Sequence, residues 1–199
     1  MKRSIAAAVA VLCLVSTQSA QAQGKFKAYA MAAYVAPLSE TDQSVGGVTD
    51  AVKASKEFGF NLGLEFKATS MLGIELDYLY AKHDVESDAS GVIGETTFQP
   101  ISATLNFHVP AMPKVDFYCG PTIAYVNWGD LAIPSSAGTT VKIDPETAFG
   151  ISAGADIGLA PMFALTGGLR WLNLKAKPEG GSEVDVNPLF ARVGIAAKF

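Results

Sequence analysis

Apolar and polar residues alternate along most of the chain after residue 25. The segment LGIELDYLY, residues 72–80, places Leu, Ile, Leu, Tyr and Tyr on one face and mostly Gly, Glu and Asp on the other. A period of two is that of a β-strand, whose successive side chains point to opposite faces of a sheet. We predict eight strands from such segments, at residues 25–36, 58–66, 72–80, 101–109, 115–128, 148–159, 163–174 and 189–199.

The connections between these strands alternate between long and short. The long ones are residues 37–57, 81–97, 129–147 and 175–187, and the short ones are residues 68–71, 110–114 and 160–162. Long and short connections then lie at opposite ends of an up-and-down sheet, with both chain termini at the short-turn end. The pattern predicts an all-β protein, an eight-stranded antiparallel transmembrane β-barrel with short periplasmic turns and long extracellular loops.

The composition of the two strand faces indicates which one points outward. The apolar face is long, rich in aromatic residues and nearly uninterrupted, whereas the polar face carries Gly, Ser, Thr and Asn with few charges. A soluble barrel of the lipocalin type would expose many more Lys and Glu side chains. Only helices and closed barrels satisfy their backbone groups in lipid, and no segment of residues 23–199 has the roughly 20 apolar residues of a transmembrane helix. We therefore expect lipid on the outside.

The first residues read as a secretory signal peptide. Lys2 and Arg3 precede an apolar stretch at residues 5–15, and AQA at residues 20–22 is a small-residue cleavage site. We predict a signal peptide at residues 1–22 and an outer-membrane barrel at residues 23–199. Loss of Lys2 and Arg3 changes the net charge from −4 to −6, a balance that does not favour nucleic acid as a partner. Cys119 is then the single remaining cysteine, which excludes an internal disulfide.

The predicted inward-facing residues differ with depth. Toward the short turns the inward-facing residues are charged. We expect Arg170 and Arg192 to pair with Glu75, Asp77 or Asp156. Such pairs would block the narrow interior, so we expect no continuous water pore. This predicted lower-lumen plug consists of Glu65, Glu75, Asp77, Asp116, Asp156, Arg170 and Arg192. Toward the long loops they are apolar, and this predicted substrate-binding part consists of Leu79, Val126, Trp128, Leu172, Leu174 and Phe190.

Several segments resemble one family of small outer-membrane proteins. AAYVAP, LGIELDYLYAKHDVE, PISATLNFH, YCGPTIAYVNW and VDVNPLFARVGIAAKF, in this order, are similar to the OmpW family over the whole of residues 23–199. The resemblance implies the outer membrane of a Gram-negative bacterium and passage of small hydrophobic molecules, including alkane uptake. The terminal Phe199 also resembles the signal that the barrel-assembly machinery reads.

Two functions remain open from the sequence. The first is a passive conduit, in which a small hydrophobic molecule enters from the loops, sheds water against Trp128 and Phe190, and leaves sideways into the bilayer. Pro121 in mid-strand and Pro100 at the start of the fourth strand are candidate lateral exits, because proline donates no hydrogen bond to a neighbouring strand. The alternative interpretation is that both prolines simply lie at bulges or strand ends. The second function is a structural or surface-interaction barrel with a packed lumen.

The sequence does not favour an enzyme. By this topology His83 and His108 fall at opposite ends of the barrel, and no Ser-His-carboxylate set is apparent. The acidic segment HDVESD at residues 83–88 is read as a solvated loop, so we expect no metal and no cofactor. The partners that we expect are outer-membrane lipid, the barrel-assembly machinery and a small hydrophobic solute.

Overall fold

A computed structural model describes residues 25–39, 41–45, 48–87, 91–112, 114–132, 140–179 and 183–199. The predicted signal peptide, residues 1–22, lies outside these ranges. Within them, no helix has the length and apolar character needed to cross a membrane.

Eight long antiparallel strands form one closed sheet. They are β1 Phe26–Pro37, β2 Glu57–Lys67, β3 Leu72–Ser87, β4 Gly91–Met112, β5 Val115–Trp128, β6 Glu146–Gly158, β7 Phe163–Asn173 and β8 Pro188–Lys198. Each strand pairs with the next one in the chain. β1 also pairs with β8, in a register that runs from Lys27↔Lys198 to Pro37↔Pro188. The predicted eight-stranded up-and-down barrel is thus confirmed.

Short strands extend the barrel at the end that carries the long loops. Val48–Ala54 pairs with Thr41–Val45 and with the end of β3, while Lys175–Pro178 pairs with Ile143–Asp144 and with Val184–Asp185. The remaining short strands are Leu131–Ala132 and Thr140–Val141. We call this the upper end of the barrel, and the opposite end, where β2–β3, β4–β5 and β6–β7 are joined by short turns, the lower end.

The sequence prediction was wrong about the boundaries of β3 and β4. The sequence pattern predicts a loop at residues 81–97 and places Pro100 at the start of the fourth strand, but β3 continues to Ser87 and β4 begins at Gly91. Above the predicted lipid-facing span, β3 and β4 remain paired as far as Ser87↔Gly91 at the upper end. Gly91 has a φ of 69°, which glycine adopts without strain. Pro100 therefore lies well inside β4.

The apolar strand faces point outward, as predicted. Ile195 on β8 is 60% exposed, whereas Arg170 on the inner face of β7 is only 2% exposed. The exposed apolar side chains include Phe58, Leu64, Leu76, Ile101, Phe117, Ile151 and Leu169. In a soluble protein the apolar side chains would point inward, whereas here they point outward and suit contact with lipid. Because the sheet is closed, every strand pairs on both sides, and the backbone needs no hydrogen bonds from the lipid.

The last strand is fastened to the first one down to its final residue. The backbone N–H of Phe199 donates to the carbonyl of Phe26, and the N–H of Phe26 donates to the carbonyl of Phe199, each over 2.9 Å. The two rings lie 6.4 Å apart, centroid to centroid. The apolar C-terminal segment is thus part of the closed sheet, while the role of Phe199 as an assembly signal stays a prediction.

Candidate functional site: a lumen with an apolar upper part and an ionic lower part

The middle of the lumen contains a buried arginine pair. Arg170 binds Asp77 through two parallel hydrogen bonds, Nη1 to Oδ1 over 2.9 Å and Nη2 to Oδ2 over 2.7 Å. Its Nη2 also donates to Glu75 over 3.0 Å. Arg192 donates to the side chains of Asn61 and Ser152, and its Nη1 lies 3.7 Å from Glu75. Such bidentate, charge-assisted contacts fix the side chains firmly in one geometry.

A second layer of charges lies below the arginines. Lys27 Nζ is 2.6 Å from Glu65 and 3.4 Å from Asp156, and Lys198 is 3.0 Å from Asp156. His108 lies between Glu65 and Asp116, with one ring nitrogen facing each carboxylate. A further ion pair joins Lys67 to Asp116.

These side chains form what we call the lower ionic network, in which five cations oppose five carboxylates. Its members are Lys27, Lys67, Arg170, Arg192 and Lys198 with Glu65, Glu75, Asp77, Asp116 and Asp156. The matching of charges compensates for the loss of water around them. The network fills the cross-section of a barrel whose interior is just wide enough for side chains.

The network contains all seven residues predicted for the lower-lumen plug, but one predicted pairing differs. Asp156 contacts Lys27 and Lys198 rather than an arginine. Lys27 was not assigned to the plug, although the alternation in β1 already placed it opposite the apolar face that includes Phe26. Asn61 and His108 also connect members of the network.

Glycines on the inner face make room for two aromatic rings in the lower lumen. A Cβ atom at Gly154 would lie 2.6 Å from the Tyr118 hydroxyl, and a Cβ at Gly63 would overlap the phenol of Tyr29. Both tyrosines are buried. Gly63 and Gly154 therefore serve packing, since each lets a tyrosine ring lie against the wall.

The upper lumen is lined by a single buried hydrophobic cluster, which we call the upper apolar cluster. It consists of Ala33, Val35, Leu79, Ala81, Phe98, Ala124, Val126, Ala148, Leu172, Leu174 and Phe190, with Trp128 and Val186 packed against it. All six residues predicted for the substrate-binding part belong to this set. The structure therefore brings them together, and it places them directly above the lower ionic network.

Phe98 is the largest member of the cluster that sequence reasoning missed. Its ring stacks on Phe190 with centroids 5.9 Å apart and lies 4.9 Å from the ring of Trp128. The predicted fourth strand begins at residue 101 and therefore does not include Phe98. Continuing the alternation of β4 backwards through Ser102 and Pro100 would have assigned Phe98 to the inner face.

The upper lumen is filled by these side chains rather than open. Among the described residues, a cavity of about 10 Å³ at the upper end of the barrel is lined by Val35, Pro37, Ala54, His83, Phe98, Trp128, Val186 and Pro188. We call it the mouth cavity. It is at the lower limit for a single water molecule, so a larger guest has to displace a side chain.

His83 holds the first loop over this cavity. Its Nδ1–H donates to the carbonyl of Ser55 over 2.8 Å, and its ring meets Phe98 edge to face. The backbone of Ser55 also bonds that of Asp84. Burial lowers the pKa of His83 below its usual value, against the opposing effect of the Ser55 carbonyl.

Across the described residues, no group of three or more His, Cys, Asp or Glu side chains is arranged to hold a metal ion.

The two candidate exit prolines interrupt different strand ladders at different heights. Between β3 and β4 the ladder stops at Tyr78↔Ile101 and resumes at Ala81↔Phe98, which leaves Pro100 unpaired toward β3. Between β4 and β5 it stops at Thr104↔Thr122 and resumes at Phe107↔Cys119, which leaves Pro121 unpaired toward β4. Both gaps follow from the missing N–H of proline.

An apolar exterior, a closed antiparallel sheet and a filled lumen define a membrane-spanning β-barrel. The chain belongs to the outer membrane protein beta-barrel domain family, whose model matches residues 4–199. Its environment is accordingly the lipid of the outer membrane of Gram-negative bacteria. No curated protein matches the sequence significantly.

Solved structures of outer-membrane proteins share the fold. The crystal structure of OprG from Pseudomonas aeruginosa matches with a TM-score of 0.78 and 17% identity, covering 89% of this chain and 96% of that one. The solid-state NMR structure of AlkL in lipid bilayers matches with a TM-score of 0.66 and 17% identity, covering 92% and 93%. The solution structure of Escherichia coli outer membrane protein W matches with a TM-score of 0.55 and 17% identity, covering 90% and 100%.

Proposed function

We propose that the chain is an OmpW-type barrel that acts as a passive conduit for small hydrophobic molecules. A molecule enters from the extracellular loops, replaces side-chain contacts in the upper apolar cluster, and leaves through the wall into the bilayer beside Pro100. The proposal rests on one observation, which is that Pro100 lies at the level of the upper apolar cluster along the barrel axis. The interrupted part of the β3–β4 ladder adjoins Leu79 and Val126, both members of the cluster.

Entry is driven by burial of apolar surface. Transfer of apolar area from water stabilises by about 25 cal/mol per Å², and the cluster offers a lining without charged groups. Because the mouth cavity is small, the guest has to move the ring of Phe98 away from Trp128. The molecule then gains contacts similar to those that Phe98 makes in the closed form.

Passage straight down the barrel is opposed by the lower ionic network. An apolar molecule makes no favourable contact with Arg170 or Asp77, and separating this buried pair would leave two charges uncompensated. A solute in the upper lumen therefore has a lower barrier through the wall than through the floor.

Pro100 fits such an exit better than Pro121 does. Pro100 faces the lumen at the height of the apolar cluster, whereas the exposed Pro121 neighbours Thr122, which bonds Thr104 over 2.8 Å. Thr104 in turn accepts a hydrogen bond from Arg170. An opening at Pro121 would thus lead into the lower ionic network, and we assign Pro121 to an ordinary interruption of the ladder.

A reversible crosslink across the gap tests the exit. Continuing the β3–β4 register across the gap between Tyr78↔Ile101 and Ala81↔Phe98 brings Tyr80 opposite Gln99. A disulfide between Tyr80→Cys and Gln99→Cys, in a Cys119→Ser background, would therefore link the two strands across the gap. We expect uptake of n-octane into proteoliposomes to fall at least fivefold when the disulfide forms, and to recover on reduction.

The matched control places a staple at the same height on another part of the wall. Phe60→Cys with Tyr80→Cys joins β2 to β3, where the ladder is continuous. Uptake should not depend on the redox state of this variant. Equal uptake by the oxidised and reduced forms of the β3–β4 variant would rule out the exit at Pro100.

The packed upper lumen favours a second candidate, a structural or surface-interaction barrel without transport. This candidate predicts that proteoliposomes take up n-octane no faster than protein-free liposomes do. It also predicts no effect of Leu174→Asp on uptake, whereas the conduit predicts a loss, because the charge would lie inside the apolar cluster. The comparison of native protein with empty liposomes decides between the two functions.

A further inference from the structure

One of the residues that line the mouth cavity carries a polar group without a partner. The Nε1–H of Trp128 is buried and makes no hydrogen bond within the part of the chain that the structure describes. The ring itself is held in place by Phe98, 4.9 Å away. An unpaired buried donor is unfavourable, and a purely hydrocarbon guest would leave it unpaired.

His83 provides a second polar group on the same cavity. Because its Nδ1–H donates to the Ser55 carbonyl, the neutral ring carries an acceptor at Nε2. The other side chains around the cavity are apolar. The residues around the cavity thus include one hydrogen-bond donor and one acceptor among side chains that are otherwise hydrocarbon.

We propose that the mouth selects molecules with an apolar body and one oxygen function, with aliphatic alcohols favoured over alkanes of equal length. The hydroxyl oxygen accepts from Trp128 Nε1, its proton faces His83, and the alkyl chain enters the upper apolar cluster. This inference rests on the proposed conduit and names its substrate class. A site that hydrogen-bonds a hydroxyl discriminates strongly against an analogue that lacks one.

Uptake of 1-octanol and n-octane by proteoliposomes measures this preference. Both rates are corrected for protein-free liposomes. We expect native protein to favour 1-octanol by about fivefold, the value of one ordinary hydrogen bond. Trp128→Phe should reduce the ratio to about one, and Trp171→Phe, which changes a residue of the outer wall, should retain it.

A second measurement keeps Trp128 in place. The chain contains two tryptophans, so the Trp171→Phe protein reports on Trp128 alone. Titration with 1-octanol should shift the emission of Trp128 to longer wavelength, since a new hydrogen bond stabilises the excited indole, and n-octane should not. The Trp128→Phe protein, which reports on Trp171, shows the effect of partitioning into the bilayer.

The outcomes separate the inference from the conduit itself. Uptake of neither solute above the protein-free rate would contradict the conduit. Equal uptake of both solutes by native protein, or a preference that survives in Trp128→Phe, would overturn the inference alone and leave a bound water as the partner of the indole.

Discussion

At the scale of single residues, the inside of the barrel shows how charges are kept in a space that lipid surrounds. Arg170 satisfies Asp77 with two hydrogen bonds and Glu75 with a third. The sequence indicated that these charges face inward, because they alternate with lipid-facing residues. It could not give the pairing, since a choice among several carboxylates depends on strand register and side-chain length. Asp156 illustrates this, with two lysines as its partners.

Removal of Arg170 should destabilise the barrel strongly. Arg170→Ala leaves Asp77 and Glu75 buried with one amide hydrogen bond each, from Asn61 and Asn106, and with Arg192 as a distant cation. We expect a loss of about 3–5 kcal/mol in the free energy of unfolding. Urea unfolding in lipid vesicles measures it. Arg170→Leu combined with Asp77→Leu should recover much of the loss, because one cation and one carboxylate are then removed together and Glu75 keeps Asn106 and Arg192 as partners.

An exposed ion pair provides the control for this experiment. Lys82 and Glu95 are each more than half exposed, and Lys82→Ala should leave the urea midpoint almost unchanged. If Lys82→Ala and Arg170→Ala shifted the urea midpoint by similar amounts, burial would not determine how much an ion pair contributes to the stability of this protein.

At the scale of strands and loops, alternation alone predicted the number of strands, their order and the face that points to lipid. The errors lie at the upper ends of β3 and β4, where the strands continue above the lipid. There the outer face turns polar at Lys82 and Asp84, so the composition no longer resembles that of a membrane strand although the pairing persists. Composition reports the surroundings of a strand, whereas its length depends on its hydrogen-bond partners.

The contact between the first loop and β3 should weaken in acid. His83 has a lowered pKa in the folded protein, so above the ordinary value of 6.5 both the closed and the opened form are neutral. Below pH 6.5 the opened form binds the proton first. The equilibrium constant for forming the contact then falls by up to about tenfold per pH unit, until the pH reaches the lowered pKa of the closed form.

Hydrogen exchange measures this change. The Ser55 N–H, which donates to the Asp84 carbonyl over 2.8 Å, should lose protection as the pH falls from 7 to 5, after correction for the intrinsic rate. The N–H of Lys67 at the lower end, bonded to the Lys25 carbonyl, serves as the reference. His83→Gln should remove the pH dependence, and a dependence that persists in this variant would exclude His83 as its source.

At the scale of the whole molecule, side chains occupy the interior of a barrel that spans the membrane. Five cations and five carboxylates lie in its lower part and a packed apolar cluster lies in its upper part. In planar bilayers we therefore expect no steady conductance from the native protein. Arg170→Ala combined with Arg192→Ala, which removes two large side chains at one height, should introduce brief openings. A stable ohmic current through the native protein would contradict the filled lumen.

The pairing of β1 with β8 also determines how the molecule must fold. These strands are the first and the last of the barrel, so their ladder joins parts of the chain that are far apart in sequence, and closing such a long loop is slow. Until then the sheet has two free edges that bind other chains readily. The yield of refolding should depend on how long this open sheet persists, and a dilute preparation in pre-formed bilayers gives it the best chance of closing upon itself.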